Sequence, residues 1–390
     1  MHQRNNALRR YLGWAPLCAL LTATLAACTD PAYTQSTLNP RGDFARMVDH
    51  VFLTTVWWAA LAFVLVEGAL LYAVFRFKGR PDDPEPKQIH GNTTVEIIWT
   101  IIPALILAMI AVPTVRAIFK TYEVPVGPDV TEIEVIGHQW WWEFRYPKAG
   151  VVTAGEMHVP MGQPVALRMT TQDVLHSFWV PQFAGKRDVF PNRNNVLWFR
   201  AEVTGNFSGQ CAEFCGIEHG RMGYRLVSES PADFDKYIKG LQATAPPGSA
   251  TMRMVSSATP PPPVQVSTSG ATVPQQKAKG DTAAASVQAA PAAPATPSDP
   301  LVAQGEKLFT MKGCIGCHSL DATKPTGIGP NLANVGSRTY IAAGMLPNTD
   351  ENLARWISNA QAVKPGVLMP NLMLKPDEAK ALVAYLRTHK

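Results

Sequence analysis

The hydrophobic positions of the chain fall into distinct regimes. An apolar run from Tyr11 to about Ala26 follows a basic start at Arg4, Arg9 and Arg10. Two longer runs, Leu53 to Phe75 and Val95 to Phe119, are nearly free of charge; Glu67 lies within the first, Glu96 and Arg116 near the ends of the second. Each exceeds the roughly 20 apolar residues that a bilayer-crossing helix needs. From Asp129 to about Leu226 the period becomes two. Thr131-Glu-Ile-Glu-Val alternates, Val165, Leu167 and Met169 share a face, and Asn195-Val-Leu-Trp-Phe-Arg and Gly223-Tyr-Arg-Leu-Val add further short segments between Gly and Pro. Short strands punctuated in this way predict a compact β-sandwich or barrel. Further on, Leu301 to Met311 and Pro376 to His389 read as helices, the second opening with proline and with Asp377-Glu378 in its first turn.

The first apolar run is too short to span and has the basic and apolar regions of an export signal. It ends in Leu25-Ala26-Ala27-Cys28, similar to a bacterial lipobox, which makes Cys28 the expected lipidated start of the mature chain; a plain signal with an incidental cysteine is the alternative. The connection between the two long runs holds Arg76, Lys78, Arg80 and Lys87, so the positive-inside rule places it in the cytoplasm and everything after about residue 120 outside. A net charge of +5 on 390 residues, without any Lys/Arg run, argues against a nucleic-acid partner. The 33 prolines exceed the roughly 20 of ordinary usage. Many of them fall in an Ala/Thr/Ser-rich stretch, 243–300, that reads as a linker with an r.m.s. span of roughly 40 Å. The expected organisation is signal 1–27, N-terminal segment and transmembrane hairpin 28–120, β-domain 121–242, linker 243–300 and helical domain 301–390.

The six cysteines change the picture most. Cys18 and Cys28 lie in and at the end of the signal, and the others form two close pairs. Cys211-Ala-Glu-Phe-Cys215-Gly-Ile-Glu-His219-Gly-Arg-Met222 gathers two thiols, an imidazole and a thioether, and His176 in Asp173-Val-Leu-His176-Ser-Phe offers a second imidazole. Soft sulfur with imidazole and a weak thioether favours copper, since zinc rarely takes Met. A Cys211–Cys215 disulfide is the plainer alternative outside the cytoplasm. Cys314-Ile-Gly-Cys317-His318 has the spacing of covalent c-type haem attachment, which a zinc or redox dithiol shares in part.

These residues carry a resemblance. The Cys211–Met222 stretch resembles the dinuclear copper A loop of cytochrome c oxidase subunit II; Val95-Glu96-Ile-Ile-Trp99-Thr-Ile-Ile-Pro103 and Gly137-His-Gln-Trp140-Trp-Trp142 are similar to that family's second membrane helix and aromatic segment. The likeness runs from about Asp43 to Tyr237. Gly305, Phe309, Gly329-Pro330-Asn331-Leu332 and Leu382/Tyr385/Leu386 around the haem motif resemble a class I cytochrome c. The implied fold is multidomain: a two-helix transmembrane hairpin, a cupredoxin-like antiparallel β-sandwich and an all-α cytochrome c domain.

The resemblance implies that Cys211 and Cys215 bridge two copper ions. His176 and His219 would each complete one copper, Met222 would be the weak ligand of one and the Glu213 backbone carbonyl that of the other. The Glu213 side chain would turn to a magnesium ion at the interface with subunit I, a chemistry suited to carboxylate oxygen. Trp140 matches an exposed aromatic that receives electrons, with core packing as its alternative. Glu96 matches the cytoplasmic mouth of a proton pathway, with capping of the helix N-terminus as its alternative. In the haem domain, Cys314 and Cys317 would hold haem c and His318 its iron. Met369, in Met369-Pro370, would supply the sixth ligand, with Met373 and Met345 as rivals. A His/Met pair raises the haem potential.

As a whole the chain is similar to subunit II of a proton-translocating cytochrome c oxidase of the caa3 type, an enzyme in which this chain alone is an electron relay. Electrons would come from a cytochrome c or the bc1 complex to haem c and copper A, and then to subunit I, whose haem a-type group and copper B reduce oxygen to water. Subunit III and the lipid bilayer are further expected partners, and the bacterial plasma membrane, with the copper and haem domains outside, is the expected place. A nitric oxide reductase subunit and a membrane-tethered copper carrier are rival readings; a quinol oxidase is disfavoured because all the copper ligands are present. Residues 121–242 carry 11 basic against 14 acidic residues and 301–390 carry 10 against 6, net −3 and +4. These opposite signs favour encounter of the tethered domains, with the haem domain docking near Trp140 as a built-in donor.

Overall fold

A computed structural model describes residues 20, 33–79, 84, 88, 91–245, 299–324 and 327–390. Apart from Leu20, the expected signal lies outside the described residues, as do Cys28 and nearly all of the expected linker. Two long helices come first, α1 (Asp43–Arg76) and α2 (Thr93–Tyr122), with mean hydropathy of 2.0 and 2.4 over their most apolar windows, none of it buried in the chain. α2 opens on an Asn92 cap, whose side chain accepts from the N–H groups of Thr94 and Val95, while Glu96 Oε1 accepts from Asn92 N at 3.3 Å. That arrangement satisfies the free donors of a helix start.

The outer ends of both helices meet the β-domain. Phe44 is buried edge-on against Trp198, Asp43 Oδ1 accepts from Arg200 N at 2.7 Å, and the Arg187 guanidinium lies over the Tyr122 ring at 5.5 Å. Exposed ion pairs such as Arg46–Glu202 add at most about 1 kcal/mol. The buried ring of Phe44 is the stronger tie, since burying such a side chain is worth about 1.5–3 kcal/mol.

The β-domain is a sandwich of two five-stranded sheets, ordered β3-β2-β1-β5-β8 and β4-β10-β9-β6-β7. Its strands are β1 (Thr131–His138), β2 (Trp141–Tyr146), β3 (Val151–Ala154), β4 (Glu156–Pro160), β5 (Pro164–Thr171), β6 (His176–Trp179), β7 (Arg187–Val189), β8 (Asn195–Arg200), β9 (Gly205–Cys211) and β10 (Gly223–Glu229). Most neighbours pair antiparallel as expected, but β1 with β5 and β4 with β10 are parallel, so both sheets are mixed. Inward-facing Ile133, Val135, Phe144, Leu167, Met169, Phe178, Phe199 and Leu226 are fully buried, and the period of two read from the sequence places them there. A short helix, α3 (Pro231–Gln242), follows, with Ser230 as its cap.

The C-terminal domain is helical: α4 (Pro300–Met311), α5 (Asp350–Ser358), α6 (Ala360–Val363) and α7 (Pro376–Leu386), with a two-residue ladder of β11 (Tyr340–Ile341) and β12 (Leu346–Pro347). α4 and α7 cross in close contact at Gly305, where a Cβ would stand 2.1 Å from Ala381 O. Only glycine allows the two backbones to approach so nearly. Phe309, Leu353, Ile357, Leu382 and Leu386 form the core around this crossing.

This helical domain sits on the edges of both sheets. Val152 N on edge strand β3 donates to Ala322 O at 2.7 Å, and Glu156 on edge strand β4 accepts from Thr339 N at 2.6 Å and Tyr340 N at 3.1 Å. The Val152 bond pairs a backbone donor of an open sheet edge, a group that is a liability in isolated sheets. Burial opposes ionisation of Glu156, but the His158 ring 3.8 Å away and the Thr339 hydrogen bonds outweigh it and hold its carboxyl below the ordinary value. The Arg225 guanidinium lies over the Tyr340 ring at 3.6 Å across the same boundary.

Candidate copper and haem centres

The first centre lies where β6, the β9–β10 loop and the start of β10 converge. Cys211 ends β9, Cys215 follows in the loop, His219 opens a single 3₁₀ turn (His219–Arg221), and Met222 precedes β10. Cys211 N donates to Met222 O at 2.9 Å and Ala212 N to Ser177 O at 2.8 Å, closing the loop on itself and onto β6. The two thiols are free and their sulfurs are 3.7 Å apart. His176 Nδ1 lies 3.8 Å from Cys211 Sγ, while His219 Nδ1 and Met222 Sδ each lie 3.7 Å from Cys215 Sγ. The Glu213 carbonyl oxygen is 3.3 Å from Cys211 Sγ. All the expected donors thus surround the sulfur pair, with His176, Cys211, Cys215 and Met222 buried.

The surroundings fix the imidazoles. Asp173 Oδ1 lies 2.8 Å from His176 Nε2, which leaves Nδ1 facing the sulfurs, and Trp142 packs edge-on to the same ring at 5.7 Å. Asp173 Oδ2 also accepts from Gln139 N at 2.6 Å, and the Gln139 side chain donates to Cys215 O at 2.8 Å. Asp173 and Gln139 escaped the sequence reading; the i,i+3 spacing of Asp173 and His176 was the available signal for the first. Hydrogen bonding between the thiols draws Cys211 below the ordinary thiol value and, with burial, pushes Cys215 above it.

The Trp140 indole is 9% exposed, covered by the helical domain that the opposite net charges bring towards it. Its Nε1 donates to Cys215 O at 3.0 Å, and its ring lines a cavity of about 210 Å³ shared with Cys314, Cys317, His318, Leu332 and Met369. His318 Nδ1 lies 2.8 Å from Pro330 O, leaving Nε2 without a hydrogen-bond partner among the described residues, and burial pushes its basicity below the ordinary imidazole value. Met369 is half-buried on the cavity wall; Met373 is 83% exposed and, like Met345, does not line it. Glu96 lies apart, at the far end of the hairpin, and the structure brings it to neither centre.

Comparison with known proteins bears on these geometries. Residues 42–117 match the family described as cytochrome C oxidase subunit II, transmembrane domain, 150–229 its periplasmic domain, and 302–390 cytochrome c. Cytochrome c oxidase subunit 2 of Alkalihalophilus pseudofirmus is 32% identical over 378 residues, covering 95% of each chain. The chain belongs to the cytochrome c oxidase subunit II family.

Cytochrome c oxidase subunit 2 of Bacillus sp. (strain PS3) is similar over the same extent, at 31% identity and 96% of each chain. Quinol oxidase subunit 2 of Bacillus cereus is 30% identical over 216 residues, 54% of this chain and 74% of that one. This subunit II is therefore part of a haem–copper oxidase complex with other oxidase subunits, a membrane protein with periplasmic domains and a C-terminal cytochrome c domain. Its subunit II domain implies copper A and its cytochrome c domain implies haem. The residues fit both groups. Soft sulfur and imidazole donors converge within 4.8 Å for His176, Cys211 and Cys215, and an apolar cavity adjoins the Cys-x-x-Cys-His motif, with one imidazole nitrogen unpartnered among the described residues.

Proposed function

We propose that this subunit relays electrons from its own cytochrome c domain to a dinuclear copper A centre and on to subunit I, with the haem domain seated as a built-in donor over the copper loop. The observation that carries the reading is the placement of Trp140, whose indole bonds the Cys215 carbonyl on one side and lines the haem-domain cavity on the other. Bound copper and haem supply the one-electron chemistry. Everything else is done by the chain's residues.

Cys211 and Cys215 would hold the two coppers together with His176 and His219, whose Nδ1 atoms face the sulfurs, and Met222 and the Glu213 carbonyl would be the weaker donors. Asp173 holds the His176 ring in the tautomer that presents Nδ1, the outer-shell role that orients metal-bound histidines. The loop is tied to β6 and β10 by backbone bonds, so its donors stay in place when charge changes. Cys314 and Cys317 would hold the haem covalently, and His318 and Met369 would serve its iron. The Glu213 side chain is assigned to a magnesium ion facing subunit I, and Glu96 to the mouth of a cytoplasmic proton pathway. Subunit III, an upstream cytochrome c or bc1 complex, lipidation at Cys28, a two-pass topology in the plasma membrane and the domain limits given above complete the proposal.

The test is metal analysis of the purified full chain. Two coppers and one haem iron per chain are expected; one copper, or none, would sink the dinuclear assignment.

A further inference from the structure

Lys364 stands out as a buried cation that the relay has not used. Its residue is 1% exposed, in the turn between α6 and the Met369 loop of the haem domain. A lysine in such a loop ordinarily keeps its ammonium in water, because burying an unpaired charge costs several kcal/mol. Here the ammonium crosses the domain boundary. Nζ donates to Trp140 O at 2.7 Å and to Arg221 O at 2.9 Å, both carbonyls of the copper domain. The first belongs to the indole between the two centres, and the second to the residue directly before Met222.

Neighbouring contacts close the same seam. Arg221 reaches back to Val363 O at 3.5 Å. Gly366, with φ of +87°, brings the haem-domain loop so close that a Cβ there would lie 3.0 Å from Ile217 Cγ2 and 3.7 Å from the Trp140 ring. Glu218 is buried beside this seam, its Oε2 without a hydrogen-bond partner among the described residues, and its charge attracts the ammonium. Burial still pushes Lys364 down to about 8, only partly countered by the charge of Glu218.

We propose that Lys364 is a positioning residue for the transfer between the domains: its ammonium bonds the Trp140 and Arg221 carbonyls and thereby sets the register of the haem cavity against the copper loop. The inference rests on the relay proposed above, but its first tests do not depend on electron transfer. Net opposite charge on the two domains brings them together; one buried, directional donor decides how they sit.

Amine labelling of the intact full chain, under native conditions, reads the contact directly. Lys364 is expected to label at least about 10-fold more slowly than the exposed Lys380, because a buried, hydrogen-bonded amine is withheld from reagent. Labelling at equal rates would overturn the proposal. Lys364→Met keeps the length of the side chain and removes the donor. Peptides covering 137–142 and 216–222 should then exchange amide hydrogen faster, with exchange across β5 and α7 unchanged and haem and copper contents intact. The haem-to-copper transfer rate should fall by about 10- to 100-fold, the cost of ångström-scale misplacement, and Lys364→Arg should recover part of it. Unchanged exchange in those two segments would contradict the positioning role even if the relay itself stands. Faster exchange with no relay in either protein would instead contradict the relay and leave the contact standing.

Discussion

Cys215→Ser is expected to strip copper from the chain and leave the haem in place. Cys215 Sγ is the common neighbour of Cys211 Sγ, His219 Nδ1 and Met222 Sδ, so its loss removes the atom that joins the two halves of the site. A serine hydroxyl is a harder donor and does not ionise readily, so it cannot replace a bridging thiolate. Loss of a mere outer-shell partner costs 10–100-fold in metal affinity, so loss of the bridge should exceed about 100-fold. Copper should fall below one per chain on metal analysis. The haem should persist because Cys314, Cys317 and His318 belong to a different domain with its own core. Oxygen consumption by the assembled oxidase should fall to background. Retention of both coppers would refute the ligand assignment.

Met369→Leu should have the second largest effect, and of a different kind. Leucine fills nearly the same volume in the cavity wall but offers no sulfur, so the haem should remain covalently bound and lose its sixth ligand. Axial ligation shifts haem potentials over a range of about 0.8 V, so a fall on the order of 0.1 V or more is expected in a redox titration. The absorption spectrum should change with it. Met373→Leu is the control: its side chain is 83% exposed and away from the cavity, so its spectrum should match the parent. The reverse result would move the ligand to Met373.

The parts of this molecule that were legible from sequence are those set by strict spacing or by long uniform pattern. The two apolar runs became α1 and α2, and β10 alternates along its whole length as read, with one face on the core; β1 and β5 alternate over part of their length, while β8 buries Leu197, Trp198 and Phe199 in succession. β3 gave no such signal. All four of its residues are buried, since one face meets the sandwich and the haem domain covers the other. Parallel pairing of β1 with β5 was equally invisible, as it follows from how distant strands are ordered rather than from either strand's own residues.

The candidate copper donors were legible because they fall within twelve residues of one loop, apart from His176. What holds them was harder to see. Asp173 reads as an ordinary loop carboxylate until His176 Nε2 is found beside it, and Lys364 reads as a solvated surface charge. Burial of Trp140 depends on a domain more than 150 residues further along the chain, a contact that no local pattern encodes. The net charges of the two domains pointed to their meeting, while the register came from Glu156, Lys364 and the edge of β3.

The central claim is that haem and copper exchange electrons within one chain, across the Trp140 seam. Its most direct test is rapid reduction of the haem in the purified full chain, followed by optical recording of haem reoxidation and copper reduction. A single exponential is expected, with a rate that stays constant over a hundredfold dilution of the protein and a phase that vanishes in Cys215→Ser. A rate that falls in proportion to dilution, or haem that stays reduced while copper is present and oxidised, would contradict the claim.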